Sequence, residues 1–299
     1  MLKYLYNYSG LRVLHGIHEA KMMRKKISKE SIKSVSQLPI NQYKKSDTLF
    51  ILGSGHSITE ITPNEWGYIK NNDSLGFNSW VFHDFTPTYY CMETPIKSKH
   101  FKATINEFNL KAEEYKTVPF IIQYQHFLKS PNNYNNLELP KENIYFNAPL
   151  MPNTTSDRIL NLLLSWWEKN NAKSMSWLMH YSGSLSYLVS MGYVMGYKNI
   201  VLLGIDLNDS RYYFHHQDAN SSSKLYADIH DETMREMNME VSNKIHDTAN
   251  INTTKKYGCL PIDQYLYKFN EILKRSEVNL FIGNKNSKLH EGLPLFKFP

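Results

Sequence analysis

Cysteine is scarce in this chain: there are two in 299 residues, Cys91 and Cys259, far apart and without metal-ligand spacing. Such usage excludes a disulfide framework. Long apolar runs are also missing. None approaches the roughly 18 residues that a membrane-spanning helix requires, and mean hydropathy is low. The N-terminus carries no apolar h-region of signal-peptide type, so the chain is expected in the cytoplasm. Internal repeats are absent. The hydrophobic fraction of 41% is ordinary; it suffices for a core of useful size, in one large domain or one domain with a small lobe.

The charge that is present is unevenly placed. The net charge is +6, yet residues 1–50 alone hold ten Lys/Arg against three acids, so the remainder is near neutral. A basic excess is one signature of nucleic-acid binding. Here Lys3, Arg12, Lys21 and Arg24 alternate with Leu2, Tyr4, Leu5, Leu11, Val13, Leu14 and Ile17. That mixture suits peripheral contact with an anionic membrane surface at the inner face of the cytoplasmic membrane. The plain alternative is a solvated helix packed on the domain. No nucleic-acid partner is expected.

Two parts are expected: a basic helical extension over 1–46 and a larger domain over 47–299. Residues 48–52 are an apolar run that meets Gly53-Ser54-Gly55-His56-Ser57, which predicts a buried parallel strand, a glycine turn and a helix. Further strands are expected at 74–78, 87–92, 120–122, 144–146, 199–204 and 278–282. Helices are expected at 157–170, from Ser182-Gly183-Ser184 to Tyr193, and at 263–275. This βαβ grammar predicts an α/β fold, a Rossmann-like parallel sheet flanked by helices. Residues 208–258 are polar and rich in His, Tyr and Asn, the pattern of a mobile lid or binding loop. Trp166, Trp167 and Trp177 are expected in the core.

The strand–Gly-x-Gly–helix at 49–61 can aim backbone N–H groups at an anion. It lacks the third glycine of the dinucleotide fingerprint and the lysine of a P-loop. Asn78 ends the second strand, where open α/β sheets bind ligands. Ser182, Gly183 and Ser184 place small residues at a helix start, and Asp206 ends the strand at 200–203. Asp206 is expected as a loop-fixing cap more than as a catalyst. Asp206-Leu207-Asn208-Asp209 is not an Asp-x-Asp metal motif, so neither a metal nor a cofactor is expected.

The segment Ile51-Leu52-Gly53-Ser54-Gly55-His56-Ser57-Ile58 resembles the Gly-x-Gly-x-Ser opening of the family 42 bacterial sialyltransferases. Residues 195–206, from Met195-Gly196-Tyr197 to Gly204-Ile205-Asp206, resemble their central helix-to-strand segment. Residues 280–289, with Asn286-Ser287-Lys288-Leu289, are similar to their closing strand and Asn-Ser-x-Leu loop. The domain of unknown function 115 of motility-associated transferases shares much of this pattern. Two departures stand out: Met179, His180 and Tyr181 replace the arginine before Ser-Gly, and Glu93-Thr94-Pro95 stands where the family has Asn-Pro.

The resemblance implies a variant GT-A fold and an inverting, metal-independent glycosyltransferase. It would move sialic acid or another nonulosonic-type sugar from a CMP-sugar donor to a glycan acceptor of lipooligosaccharide, capsule or glycoprotein. By position, Gly53, Ser54, Gly55 and Ser57 would cradle phosphate and ribose, and Asn78 would hold the donor. Ser182, Gly183 and Ser184 would meet the sugar carboxylate or the cytosine, with Asp206 nearby. Tyr212 and Tyr213 would stabilise the leaving phosphate. His246 would be the general base, with His216 and His230 as alternatives. A homo-oligomer is compatible with all of this. The chemistry is coherent: donors aimed at the phosphate stabilise developing charge, and a histidine accepts a proton near working pH.

The rival readings are a non-catalytic glycan-assembly protein on the same fold, a pyrophosphokinase and a methyltransferase. The second wants a carboxylate pair for magnesium, and the third an acid where Asn78 stands.

Overall fold

Strand β1 (Thr48–Leu52) is buried at all five positions, because helices cover both faces of the sheet it anchors. In the computed structural model, residues 11–29, 33–93, 99–123, 136–171, 173–236 and 245–299 are described. The other strands are β2 (Asp73–Phe77), β3 (Tyr89–Glu93), β4 (Phe120–Gln123), β5 (Ile144–Asn147), β6 (Asn199–Leu203) and β7 (Asn279–Ile282). They form one sheet in the order β5-β4-β3-β2-β1-β6-β7, parallel throughout, with Ile51 opposite Leu75 on one side and Leu202 on the other. Every strand expected from the sequence is present.

Among the described residues, the helices of seven residues or more are α1 (Leu11–Lys29), α2 (Pro63–Lys70), α3 (Lys99–Leu110), α4 (Asp157–Asn171), α5 (Ser184–Val194), α6 (Ser221–Glu236), α7 (Ile251–Tyr257) and α8 (Ile262–Arg275). The strand period of two sends Leu49 and Ile51 into one core with residues of α1, α4, α5 and α8. It sends Phe50 and Leu52 into a second core with residues of α2, α3 and α6. The strands therefore read as continuous apolar runs, as buried parallel strands do. After β5 the chain crosses to the far side of β1, so the order in which strands are added reverses between β1 and β6. At such a switch point the loops leaving the two strands diverge and open a crevice at their C-terminal ends.

Three expectations change. The polar stretch 208–258 contains two helices; residues 237–244 of it lie outside the described part. On α6, Ser223, Tyr226, Ala227 and His230 are buried at helical spacing, with Ser223 Oγ donating to the Phe82 carbonyl at 2.7 Å. A stripe built from Ser, Tyr, Ala and His carries too little hydrophobicity to show as a helix in sequence. The basic extension, of which residues 1–10 and 30–32 are not described, is no free anchor over α1. Val13 and Ala20 are buried, and a Cβ on Gly16 would lie 2.5 Å from the Met151 carbonyl oxygen, so the helix docks too closely for a side chain there. Finally, Trp167 is buried but Trp166 is 36% exposed, since adjacent helical positions point about 100° apart. Cys91 and Cys259 are both buried and free. Among the described residues no helix is long and apolar enough to cross a membrane.

Candidate functional site

A cavity of about 330 Å³ opens at the C-terminal ends of β1, β2, β3 and β6. Of the residues expected to bind a donor, Ser54, Gly55, Asn78, Gly183, Ser184 and Asp206 line it, together with Tyr212 and His246. Backbone strain is concentrated at this rim: φ is +52° at Asn78, +58° at Ser182, +148° at Gly183 and +64° at Gly204. Left-handed conformations at Asn and Ser cost of order 1–3 kcal/mol each and persist where surrounding structure imposes them. At Asn78 that structure is visible. Its carbonyl accepts from the Tyr90 hydroxyl, and its Oδ1 accepts the Glu93 N–H at 3.1 Å.

Four N–H groups of the Gly53–Ser57 turn, the expected phosphate cradle, have acceptors within the protein: Gly53 donates to Leu203 O and Gly55 to Gly204 O at 2.8 Å each, and His56 to Arg211 O at 3.1 Å. Ser57 gives its N–H to Asp206 Oδ2 at 2.7 Å and its hydroxyl to Oδ1 at 2.6 Å. The carboxylate of Asp206 thus occupies the position an anion would take at the start of this short helical turn. Asn284 Nδ2 adds a third bond at 3.0 Å, so the Asp206 carboxylate links the turn to the closing loop. Nearby, Ser287 Oγ donates to Ile205 O at 2.6 Å, which gives the closing Asn-Ser-x-Leu loop a bracing role. Gly53 and Ser57 stand behind the cavity wall. A Cβ on Gly53 would lie 2.5 Å from the Gly204 carbonyl oxygen; the glycine permits close approach of two strand ends.

The amino end of α5 is the place where backbone donors meet the cavity. No side chain caps this eleven-residue helix, and Ser184 and Leu185 of its first turn line the cavity. Such a terminus favours negative charge, and here the charge comes from Glu93, the last residue of β3. The Ser184 hydroxyl donates to Glu93 Oε2, and His180 Nε2 lies 3.1 Å from Oε1. Glu93 and His180 were not expected as site residues. The usable signal was position, since Glu93 ends a parallel strand on the ligand-binding edge of the sheet. Ser182 is set back, its Oγ 3.5 Å from the Thr248 carbonyl.

The tyrosines and histidines separate clearly. Tyr212 lines the cavity, and burial pushes its pKa up, so it is a hydrogen-bond donor at neutral pH. Tyr213 turns into the core and donates to Ser79 O at 3.0 Å; its hydroxyl is therefore not free to meet a leaving phosphate. His246 lines the cavity, held by its N–H to Leu207 O at 2.8 Å. Burial lowers its pKa, opposed by Asp247, which keeps it neutral and able to accept a proton. Its Nδ1 accepts the Thr248 N–H at 3.3 Å and lies 2.9 Å from Thr248 Oγ1, so it also caps the turn that follows. His230 lines the cavity too. His230 Nδ1 and His215 Nε2 both approach Asp231 Oδ1, at 3.2 and 3.0 Å. Among the described residues this trio is the one group with metal-ligand spacing, its ligand atoms lying within 4.8 Å of one another. His216 stands against His56, ring centroids 5.6 Å apart, outside the cavity lining.

No family model matches the chain, and no curated protein matches it. Solved structures similar to it include the monofunctional α-2,3-sialyltransferase Cst-I from Campylobacter jejuni, at 16% identity, covering 86% of this chain and 85% of that one with a TM-score of 0.45. Another is the sialyltransferase CstII from Campylobacter jejuni in complex with the substrate analogue CMP-3FNeuAc, at 15% identity, covering 83% and 85% with a TM-score of 0.44.

Proposed function

We propose that the protein is an inverting glycosyltransferase of the sialyltransferase type, which moves a nonulosonic-type sugar from a CMP-activated donor to a glycan. The observation that carries this reading is the cavity itself. It stands at the switch point of the sheet and gathers residues of two of the three family-like segments, of the start of α5 and of the polar insert, drawn from distant parts of the chain. Nucleotides bind at such crevices.

In this reading the CMP phosphate lies between the amino end of α5 and the Tyr212 hydroxyl. Both donate hydrogen bonds and stabilise the charge that develops as CMP leaves. The leaving group is a monophosphate whose charge these donors can meet, so the transfer step calls for no divalent ion. His246 takes the proton of the acceptor hydroxyl. For its Nε2 to do so, Nδ1 must hold the other proton, give up the Thr248 N–H that it accepts at 3.3 Å and donate to Thr248 Oγ1 at 2.9 Å. The insert carrying α6 and α7 covers the cavity and keeps water from the donor.

The test is a thermal-shift series in EDTA with CMP, UDP and GDP. A ligand that binds only the folded state raises the melting temperature, by about 2.7 kcal/mol of stability at a hundredfold excess over Kd. CMP is expected to stabilise, and UDP and GDP are not. Selective stabilisation by UDP, or a shift that appears only with a divalent metal, sinks the reading.

A further inference from the structure

His215, His230 and Asp231 converge from two elements. His215 ends the short helical turn Tyr213–His215, whereas His230 and Asp231 stand on α6. Both imidazoles aim a nitrogen at one carboxylate oxygen: His215 Nε2 lies 3.0 Å and His230 Nδ1 3.2 Å from Asp231 Oδ1. Two imidazoles and a carboxylate suit a divalent transition ion of the zinc class. They suit magnesium and calcium poorly, since those ions take oxygen ligands. Zinc bonds of about 2.0–2.1 Å set tetrahedral ligand atoms roughly 3.3 Å apart, and both N···O separations lie near that edge.

Packing fixes the ligands from the protein side. The His230 ring meets Tyr212, Phe214, His215 and His100 with centroids 5.1, 5.4, 5.6 and 5.7 Å away. The His230 side chain is 11% exposed and that of Asp231 42%, so the carboxylate is open to an entering ion and to the water that completes its shell. The neighbouring cation Arg235 donates to the backbone carbonyl of Asp231 at 3.2 Å, which leaves the carboxylate to the two imidazoles.

We propose that His215, His230 and Asp231 bind one divalent transition ion of the zinc class, which clips α6 to the turn behind Tyr212. The ion fixes a wall of the cavity and touches no reacting atom, so the site goes beyond the transfer reaction. Without the ion both ring nitrogens can donate to Asp231. With it, each imidazole carries its proton on the other nitrogen. Loaded His230 then accepts no proton from a substrate, which leaves that role to His246.

The test is calorimetric titration of the full chain, stripped with EDTA and then freed of it, with Zn²⁺ and separately with Mg²⁺. The wild type is compared with His215→Gln, His215→Ala and Asp231→Asn. Glutamine at position 215 keeps an N–H donor for Asp231 but offers no imidazole, so it preserves a cluster that merely hydrogen-bonds. Changes even to the outer shell of a metal site cost about 10–100-fold in affinity. The wild type is expected to bind one Zn²⁺ and the variants to bind it at least about tenfold more weakly, with no response to Mg²⁺. Zn²⁺ should also raise the melting temperature of the wild type and not that of the variants. Equal Zn²⁺ affinity in the wild type and His215→Gln marks adventitious binding at other histidines and overturns the proposal. A wild type that binds no Zn²⁺, or binds Mg²⁺ as tightly, overturns it too. Melting of the ion-free variants separates lost binding from lost folding, and His215→Gln is expected to melt with the wild type. CMP titration in EDTA tests the nucleotide-sugar reading by itself, so either reading can fail alone.

Discussion

His246 and His230 both reach the cavity, yet their ring nitrogens have different company. Asp231 Oδ1 can only accept, so His230 Nδ1 holds a proton there, whereas His246 Nδ1 faces a hydroxyl that can give or take one. If His246 is the base, removing it costs about 10²–10⁴-fold in transfer rate with donor affinity unchanged. Thr248→Val should then slow transfer as well, because it removes the acceptor that stabilises the reactive tautomer. The measurement is single-turnover transfer alongside CMP titration. A normal rate in His246→Ala together with an inactive His230→Ala would move the base to His230. We propose that Asp206 supports the turn and not the chemistry. Asp206→Ala leaves the Ser57 N–H, the Ser57 hydroxyl and the Asn284 amide without their partner. Each buried unsatisfied group costs roughly 1–3 kcal/mol, so the melting temperature should fall by several degrees. An unchanged melt would remove Asp206 from its role in holding β1, β6 and the closing loop together.

Elements with one strong period were legible in the sequence. All seven strands and helices α4, α5 and α8 could be placed there, because each buries an apolar run or stripe. α6 was not, since its buried face is Ser, Tyr, Ala and His. α1 had two readings, and its packing shows how they combine. Val13 and Ala20 face the domain, while Leu11, Leu14 and Met22 are 55%, 64% and 55% exposed, on the side that also carries Lys21 and Lys25. We propose that this outer face touches anionic lipid. Leu14→Glu with Met22→Glu should then lower binding to anionic vesicles and leave the melting temperature unchanged. Val13→Asp should instead lower the melting temperature, since it buries an unpaired charge. Equal vesicle binding by the double variant and the wild type would leave α1 as a packing helix and nothing more.

At the scale of the whole molecule, the alternation of apolar strands and helices already determined a parallel sheet covered on both faces. A strand buried on two sides is apolar at most positions, and such a run is visible without coordinates. The sequence also marked the chain segments that meet at the cavity, because turn glycines, small residues and strand-ending polar groups are local signals. Which atoms remain available there was decided only by tertiary structure. The N–H groups of the Gly53–Ser57 turn are donors in any sequence reading; that four of them are used by Leu203, Gly204, Arg211 and Asp206 follows from β6 lying beside β1. Glu93 and Ser184 are 91 positions apart, and their hydrogen bond exists because the ends of β3 and α5 meet at the same rim. Hydrogen-bond satisfaction is a property of neighbours in space, and a linear pattern records neighbours only along the chain.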